Sequence, residues 1–488
     1  MTITSAARAA IDLPADAVYI GGEWIVPDDE PRLDVINPAT EERIGSVTDC
    51  SAETAAKATA AARRAFDDWS RTSAGQRAAH LDALADAFEQ HGDQLAALAA
   101  REIGMPLREA RAVQVDLPTR VLRSTADLAR AYRWDGRDAS GSSIVREPSG
   151  VVLAITPWNF PVHQIVAKLA PALAAGCTVV VKPAELTPLN ALFVAALCGE
   201  AGIPAGVVNI VTGRGATTGE ALVQSGDYDV VSFTGSLTIG RHIGAVAGGR
   251  IVRATLELGG KSPAVLLDDA DLDTAVRTTV KNCFVNAGQK CNAPTRLIVP
   301  EELRAVAVNI AAAAADAYVL GDPLDEATTM GPLASHAQRD KVLGYLDGAR
   351  RDGRVVTGGL ADEHERGYFV RPAIVTDLPE TAPVVREEIF GPVLVVLGHR
   401  GEDDAVRIAN DTEYGLSAEV WSGDPARAAA LARRVRAGQV RVNGVRTPSL
   451  PVSPFGGYKM SGLGREMGAF ALEEYLEVKA ILGDPELT

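Results

Sequence analysis

Apolar positions follow a helical period in the first third of the chain and change to short β-branched runs after Gly150. The helical period predicts three helices, the first of them capped by Ser51, at 52–69, 73–103 and 108–132. Beyond Gly150, runs such as VVLAIT, CTVVVK and DVVSFT alternate with amphipathic stretches of helical period. This alternation is typical of parallel strands joined by crossover helices.

The same alternation repeats in a second block after Glu257. AVLLD and RLIVP are separated by a predicted helix from Leu272 to Asn286, and further strands are expected near 369, 393 and 440. With 488 residues, the chain exceeds the roughly 250–300 at which a single hydrophobic core stops growing. We therefore predict an α/β fold with two parallel-sheet α/β domains. Two remaining segments, 131–148 and 471–488, are expected to form a small β arm between subunits.

Charge and composition exclude several classes of protein. A net charge of −15 repels a phosphate backbone, so no nucleic-acid partner is expected. The apolar run 169–181 holds 13 residues, too few for a bilayer, and no secretion signal is recognised, which predicts a cytoplasmic location and no membrane partner. The five cysteines and seven histidines do not fall at metal-ligand spacing, so no metal is expected.

The common nucleotide-binding signatures are incomplete in this sequence. GRGATTG has its last glycine one residue late for a dinucleotide fingerprint, and TLELGGKS lacks the first glycine of a P-loop. FTGSLTIG offers a different loop, with a turn at Gly235, a helix starting at Ser236 and Gly240 on its first turns. Such a helix start aims N–H groups at an anion, although an ordinary capped turn has the same sequence pattern.

Three polar residues stand out, and each also has an ordinary structural interpretation. Cys291 lies in a polar, glycine-rich loop, where a packing thiol is unexpected. Asn159 precedes Phe-Pro, a position typical of a turn residue. Glu257 ends an apolar strand, where a carboxylate is either exposed or costly to bury. The residues alone leave both interpretations open.

Seven motifs together resemble one family, the aldehyde dehydrogenase superfamily, in order and over nearly the whole chain. They are PWNFP (157–161), KPAELTP (182–188), FTGS (233–236), LELGGKSP (256–263), FVNAGQKCNAPTR (284–296), EEIFGPV (387–393) and SPFGGYKMSGLGRE (453–466). The resemblance implies a Rossmann-like coenzyme domain (1–130 and 149–258), a catalytic domain (259–460) and oligomerisation segments (131–148 and 471–488). It also implies a homodimer or homotetramer.

The resemblance further implies oxidation of an aldehyde to a carboxylic acid with NAD, with NADP as a weaker alternative. Cys291 is the implied nucleophile, because a thiolate adds to the carbonyl and then holds the acyl group as a thioester. Asn159 matches the donor to the oxyanion. Glu257 matches the base that activates water for hydrolysis, and Glu466 a second carboxylate that relays protons.

Further matches concern the coenzyme and the substrate. The implied coenzyme-binding residues are Trp158, Lys182, Glu185, Gly235, Ser236, Gly240, Glu388 and Phe390. Of these, Glu388 and Phe390 match family positions that hold the nicotinamide ribose and ring, and Lys182 and Glu185 match positions that face the adenosine ribose. The implied substrate funnel contains Phe160, His163, Gln164, Ala167, Asn292, Ser449 and Phe455. Ala167 stands where many members of the family carry a bulky aromatic residue, so the expected funnel is wider. His163, Gln164, Asn292 and Ser449 bring polar or small groups to it, so the funnel is also expected to be more polar.

Two alternatives remain open from the sequence. One is a semialdehyde or betaine-aldehyde type dehydrogenase, which differs in the funnel. The other is a catalytically silent structural homologue, which would have no need to keep Cys291, Glu257 and Asn159 together.

Overall fold

The computed structural model describes residues 13–361, 363–445 and 451–484, which form twenty strands and sixteen α-helices. The strands before residue 260 are β1 (Val18–Ile20), β2 (Glu23–Ile25), β3 (Arg32–Ile36), β4 (Arg43–Thr48), β5 (Asp135–Arg137), β6 (Ser143–Pro148), β7 (Val151–Thr156), β8 (Thr178–Pro183), β9 (Val208–Ile210), β10 (Val230–Thr234) and β11 (Arg253–Glu257). The later strands are β12 (Pro263–Leu266), β13 (Arg296–Pro300), β14 (Arg354–Leu360), β15 (Val370–Thr376), β16 (Val393–His399), β17 (Ser417–Trp421), β18 (Gln439–Val442), β19 (Gly462–Leu463) and β20 (Leu476–Ile481).

The helices alternate with these strands. They are α1 (Ala52–Ser70), α2 (Ala74–Gln90), α3 (Gly92–Ile103), α4 (Leu107–Ala110), α5 (Leu117–Ala131), α6 (Pro161–Ala175), α7 (Pro188–Glu200), α8 (Glu220–Ser225), α9 (Leu237–Arg250), α10 (Leu272–Cys283), α11 (Arg304–Asp316), α12 (His336–Asp352), α13 (Pro383–Arg386), α14 (Glu402–Asn410), α15 (Pro425–Ala432) and α16 (Gly468–Glu473). Across the described ranges, no helix is both long and apolar enough to cross a membrane.

The first sheet has eight strands in the order β19-β11-β10-β7-β8-β9-β1-β2, and its five central strands, β11 to β9, are parallel. Side chains of β7 alternate between two apolar clusters: Val151 and Leu153 pack on one face, and Val152 and Ala154 on the other. Because a strand alternates with period two, this continuous apolar run buries both faces of the sheet under helices.

The second sheet has seven strands in the order β14-β15-β16-β13-β12-β17-β18, parallel except for the β14–β15 pair. Its apolar core is formed with helices that include α10, α11 and α14. A third, antiparallel sheet joins β5, β6 and β20. The predicted fold class, two parallel-sheet units with a small β arm, is confirmed. The residue boundaries of the domains stay a prediction.

Two of the expected helices are interrupted. The helix predicted at 73–103 ends at Gln90 and starts again at Gly92, whose Cβ position would lie only 2.9 Å from a methyl carbon of Val115. The helix predicted at 108–132 contains a π-helical turn, Arg111–Asp116. Within that turn, Gln114 is fully buried and bonds to the start of α6. At both interruptions a residue contacts another helix. Such contacts between helices cannot be predicted from the helical period of the sequence.

Candidate active site

The carboxyl edge of the first sheet gathers four polar side chains from neighbouring strands. Thr234 ends β10 opposite Glu257 of β11, and Lys182 pairs with Ile155 beside Thr156 at the end of β7. The carboxyl edge is where open α/β sheets bind ligands. The hydroxyl of Thr156 is buried and lacks a hydrogen-bond partner in the described part of the chain, which leaves one unpaired polar atom at this edge.

Cys291 lies in a tightly turned loop after α10. Three consecutive residues, Asn286 (φ 51°), Ala287 (φ 53°) and Gly288 (φ 73°), are in the left-handed region, which costs free energy for the two that are not glycine. Cys291 is partly exposed, whereas the other four cysteines of the chain are buried. Cys291 is therefore the one cysteine of the five that is not shut off inside a hydrophobic core.

Asn159 is fastened to the loop of Cys291 from the first sheet. Its Nδ2 donates to the backbone oxygen of Gln289 at 2.9 Å, and Nδ2 of Asn286 donates to the backbone oxygen of Asn159 at 2.9 Å. Asn159 is buried. An amide nitrogen carries two hydrogens, and the bond to Gln289 uses one of them. The structure thus holds Asn159 within two residues of the predicted nucleophile along that loop.

Glu257 is a buried carboxylate without a partner. Only 3% of the residue is exposed, and both of its carboxylate oxygens lack a hydrogen bond within the described residues. Gly456 of the SPFGG motif leaves room for it, since a Cβ there would lie 2.7 Å from Glu257 Oε1. Burial raises the pKa of Glu257 well above its ordinary value, and the charge of Glu466 raises it further. A carboxylate with a raised pKa is a stronger base than an ordinary one, which suits it to take a proton.

Glu466 forms a buried ion pair with Lys168. Lys168 Nζ donates to Glu466 Oε1 at 2.6 Å and to Thr234 Oγ1 at 2.7 Å. Glu466 is held by Phe455, because the two residues exchange backbone hydrogen bonds of 2.8 and 2.7 Å. The charge of Lys168 counteracts the rise in the pKa of Glu257, so Glu257, Glu466 and Lys168 form one electrostatic cluster.

Lys168 is absent from the residues selected by sequence. A signal was available, because Lys168 interrupts the apolar stretch 165–175 of this helix. A buried ammonium is tolerated only with a partner, so this lysine pointed to a carboxylate nearby.

The glycine pair of LELGGKSP lies between the nucleophile and a second carboxylate. A Cβ at Gly260 would lie 2.4 Å from the backbone oxygen of Cys291, and one at Gly259 would lie 2.3 Å from Glu388 Oε2. The N–H of Gly260 donates to Glu388 Oε1 at 3.0 Å. Burial raises the pKa of Cys291 to about 12, and the charges of Glu388 and Glu257 add to the rise. The resting thiol is neutral, so a base must take its proton before attack.

Phe390, expected at the nicotinamide ring, contacts a second predicted coenzyme-binding residue, Trp158. Trp158 and Phe390 pack edge to face, with ring centroids 5.3 Å apart and an interplanar angle of 89°. At the adenosine end, Lys182 is 2% exposed and its Nζ lies 3.6 Å from Glu185 Oε2. Burial lowers the pKa of Lys182. The carboxyl edge thus carries two groups of polar side chains. One, with Glu388, lies near Cys291, and the other, formed by Lys182 and Glu185, lies at the end of β8.

The glycine-containing loop of FTGS is accounted for by packing. Ser236 caps α9 by accepting from the N–H of Ile239 at 3.4 Å. The N–H of Gly235 donates to the backbone oxygen of Glu257 at 3.0 Å, so it is not a free donor for an anion. A Cβ at Gly240 would lie 2.4 Å from Leu258. Coenzyme contacts of these residues stay a prediction.

A model of the aldehyde dehydrogenase family matches residues 24–481. The chain belongs to this family. The predictions of the family, of an enzyme and of a nicotinamide coenzyme are confirmed at this level.

Similar proteins cover nearly the whole chain. A 3-succinoylsemialdehyde-pyridine dehydrogenase from Pseudomonas sp. is 42% identical over 95% of this chain and 98% of its own length. A geranial dehydrogenase from Castellaniella defragrans is 43% identical, with the same coverage.

One similar solved structure is a variant of aldehyde dehydrogenase C from Pseudomonas syringae in complex with NAD+ and octanal. It is 44% identical to this chain and has a TM-score of 0.94, and the match covers 96% of this chain and 97% of that one. Another is a betaine aldehyde dehydrogenase from Staphylococcus aureus in complex with NAD+. It is 37% identical and has a TM-score of 0.92, and the match covers 96% of this chain and 94% of that one.

The side chains of this aldehyde dehydrogenase fit a dinucleotide. Glu185 and Glu388 offer carboxylate acceptors for ribose hydroxyls, and Lys182 offers a donor. The stem of Lys182 lies beside the GRGATTG loop, since a Cβ at Gly219 would lie 3.9 Å from it. The unpaired hydroxyl of Thr156, next to β8, adds a further polar group at this edge.

The predicted funnel residues lie mainly around α6, which carries His163, Gln164 and Ala167. Phe160, Gln164, Ala167 and Asn292 are buried, and Phe455 is half-buried. Ser449 lies outside the described residues. Gln114 adjoins this helix, because its Oε1 accepts from the N–H groups of Val162 and His163 at 3.1 and 3.2 Å.

Proposed function

We propose that this aldehyde dehydrogenase uses NAD to oxidise an aldehyde with a hydrogen-bonding tail to the carboxylic acid, through a covalent intermediate on Cys291. The observation that carries the proposal is the convergence of three groups: the partly exposed thiol of Cys291, the amide of Asn159 fixed to the same loop, and the unpartnered carboxylate of Glu257. Glu257 is close enough for its charge to raise the pKa of the thiol.

In the first half of the reaction, the sulfur of Cys291 adds to the carbonyl carbon of the aldehyde. The carbonyl oxygen becomes an oxyanion, which the free amide hydrogen of Asn159 stabilises. Because the resting thiol is neutral, a carboxylate such as Glu257 takes its proton before or during the addition. NAD supplies the acceptor for the hydride that then leaves the former carbonyl carbon. The acyl group is left on Cys291 as a thioester.

Between the two halves, Glu257 releases to solvent the proton that it took from Cys291. In the second half, Glu257 takes a proton from a water molecule as that water attacks the thioester carbon. The carbon–sulfur bond then breaks, the carboxylic acid leaves, and Glu257 passes its proton to the departing thiolate of Cys291. Glu466 and Lys168 lie next to Glu257 in the electrostatic cluster and form an ion pair whose two charges act on the pKa of Glu257. A hydrolytic second half agrees with a buried base at this position.

Three buried polar atoms on or next to α6 support a hydrogen-bonding substrate tail. They are Gln114 Nε2, His163 Nδ1 and Gln164 Oε1, and each lacks a hydrogen bond within the described ranges. Burial lowers the pKa of His163 to about 4, so its ring is neutral near pH 7 and offers one donor and one acceptor. An aldehyde with hydroxyl, amide or amine groups in its tail would satisfy these atoms, whereas an alkyl tail would leave them unpaired.

A panel of aldehydes tests this proposal. We expect NAD reduction with ω-hydroxy and ω-amino aldehydes to exceed that with the unsubstituted aldehyde of equal chain length by about tenfold in kcat/KM, since an unpaired buried polar group costs about 1–3 kcal/mol. Preference for the unsubstituted chain would contradict the proposed tail but leave the proposed chemistry intact. No NAD reduction with any aldehyde would contradict the chemistry itself.

Removal of the Lys168 charge is expected to move the pH profile of thioester hydrolysis. Lys168 lowers the pKa of Glu257, and Glu257 acts as a base only when ionised, above its pKa. Lys168→Met therefore raises this pKa and shifts the acidic limb to higher pH, by about one unit or more. The measurement is the deacylation rate against pH, with Lys168→Arg as the charge-preserving control. An unchanged limb in Lys168→Met would show that the two groups are not coupled.

Coenzyme choice is expected to depend on Glu185. A carboxylate at the adenosine ribose repels a 2′-phosphate, so NAD should be preferred over NADP by roughly five-fold to a hundred-fold in kcat/KM. In Glu185→Ser, the ion pair with Lys182 is lost, and the freed ammonium should shift the preference towards NADP. Glu200→Ser, at the far end of the following helix, is the matched control. A wild-type preference for NADP would show that Glu185 does not face the 2′ position.

A homodimer or homotetramer built through the small β arm is also proposed. The arm strand β20 carries exposed apolar side chains, with Val478 66% and Ile481 39% exposed, and Leu482 follows it at 80%. Such a face is typical of an interface between subunits. The cytoplasmic location stays a prediction.

A further inference from the structure

One face of α12 is hydrogen-bonded to the loop that carries Glu388 and Phe390. Gln338, Lys341 and Tyr345 are spaced i, i+3 and i+7, so they share that face. Lys341 Nζ donates to the backbone oxygen of Glu388 at 3.1 Å, and the Tyr345 hydroxyl donates to Glu387 Oε2 at 2.6 Å. Gln338 Nε2 donates to the backbone oxygens of the next two residues of the loop, 389 and 390, at 3.1 and 2.7 Å. Four consecutive loop residues are therefore held by one helix.

The loop needs such restraint, because Phe390 has a φ of 61°. This left-handed conformation costs free energy for a residue with a side chain, and it persists only where the surroundings fix it. Gln338 bonds to the carbonyl of Phe390 itself. The conformation of Phe390 determines where its ring meets Trp158, so the bond from Gln338 acts directly on that contact.

The other side of the loop is closed by glycine contacts. A Cβ at Gly391 would lie 2.3 Å from Val342 of α12, and one at Gly288 would lie 2.2 Å from the backbone oxygen of Gly391. The loop is thus packed between α12 and the loop that leads to Cys291. A shift of the loop away from α12 would displace Glu388, whose carboxylate also bonds to the N–H of Gly260.

We propose that Gln338 and Lys341 are positioning residues, which hold the backbone of residues 388–390 so that Glu388 and Phe390 face the nicotinamide half of the coenzyme. This proposal rests on the proposed function, in which those two residues hold the coenzyme. Gln338 and Lys341 act through the loop carbonyls, and they take no part in the chemistry at Cys291.

The test separates coenzyme-dependent from coenzyme-independent chemistry. An activated ester such as p-nitrophenyl acetate can acylate Cys291 without coenzyme, and Glu257 then promotes hydrolysis of the same acyl-enzyme. We expect Gln338→Glu, which keeps the shape but removes the donor, to raise KM and Kd for NAD about tenfold or more and to lower kcat for aldehyde oxidation. The ester hydrolysis rate and the KM for aldehyde should change less than twofold.

Lys341 provides a second, graded test. Lys341→Met should raise the Kd for NAD, measured by titration calorimetry, whereas Lys341→Arg keeps a donor and should restore it to within about threefold of wild type. Asp340→Ala is the matched control, since Asp340 lies between the two positions in sequence but pairs with His336 and Arg339. Its coenzyme binding should equal that of wild type.

Two results would overturn the proposal. One is an unchanged Kd for NAD in both Gln338→Glu and Lys341→Met. The other is an equal loss of ester hydrolysis and aldehyde oxidation, which would place the effect at Cys291 instead of the coenzyme loop. A wild-type protein without ester hydrolysis and without NAD reduction would contradict the proposed function instead, so the two failures are distinguishable.

Discussion

Cys291→Ala is expected to lower aldehyde oxidation by at least about 10⁴-fold, because the covalent step has no substitute. The four other cysteines are buried in the chain and cannot reach the cleft where Cys291 is partly exposed. The measurement is NAD reduction with a reactive aldehyde at saturating concentration. Coenzyme binding should persist, because the residues proposed to hold NAD are untouched.

Cys283→Ser is the control for this result. Cys283 ends α10, is fully buried, and contacts the backbone oxygen of Val393 through sulfur at 3.9 Å. Burial raises the pKa of its thiol to about 12, so it is an inert packing group. The variant should keep the activity of wild type apart from a modest loss of stability. A folded but inactive Cys283→Ser, or an active Cys291→Ala, would show that the wrong thiol had been assigned.

The parallel sheets could be predicted from the sequence because their strands are apolar on both faces. Runs such as Val151–Thr156 and Thr178–Pro183 are β-branched, short and separated by helical periods, and each forms a central strand. The order of the strands within each sheet could not be predicted from the hydrophobic pattern. β19, for example, joins the edge of the first sheet although it follows the whole second block, a long-range pairing that local periodicity does not encode.

The interruption at His91 shows where helical periodicity fails. The apolar spacing continues from α2 into α3, but His91 leaves the helical conformation (φ −102°, ψ 13°), and Gly92 after it lies against Val115. The cause is a tertiary contact with a residue far away in sequence. The same holds for the π-helical turn at 111–116, where Gln114 reaches the start of α6.

The sequence predicted those residues of the candidate site that lie in family motifs, and it missed those that lie outside them. Family resemblance selected Cys291, Asn159 and Glu257, and the structure brings them to one cleft; their individual roles stay predictions. Gln338 and Lys341 escaped selection because polar residues on a helix ordinarily face solvent, and the sequence gives no sign that a loop 50 residues later packs on that face. Side chains that act on backbone carbonyls leave no motif of their own.

Glu257→Gln is expected to block the second half of the reaction while leaving most of the first. A glutamine amide has nearly the shape of the carboxylate but cannot take a proton from water. Mixing the variant with NAD and aldehyde should give a burst of about one reduced coenzyme per active site, followed by turnover slowed on the order of 10²- to 10⁴-fold. Mass spectrometry of the quenched protein should find the acyl group on Cys291.

Stability separates this effect from a folding defect. Both oxygens of Glu257 are buried and have no hydrogen-bond partner among the residues that the structure describes. Because burial of an unpaired carboxylate is costly, the neutral amide should leave the Tm equal to that of wild type or above it. Glu477→Gln is the matched control. Glu477 is an exposed ion-pair partner of Arg253, which lies on the same strand as Glu257, and this variant should hydrolyse its thioester normally. If the Glu257 variant shows neither burst nor acyl adduct, Glu257 is needed before the thioester forms, and its first task is to deprotonate Cys291.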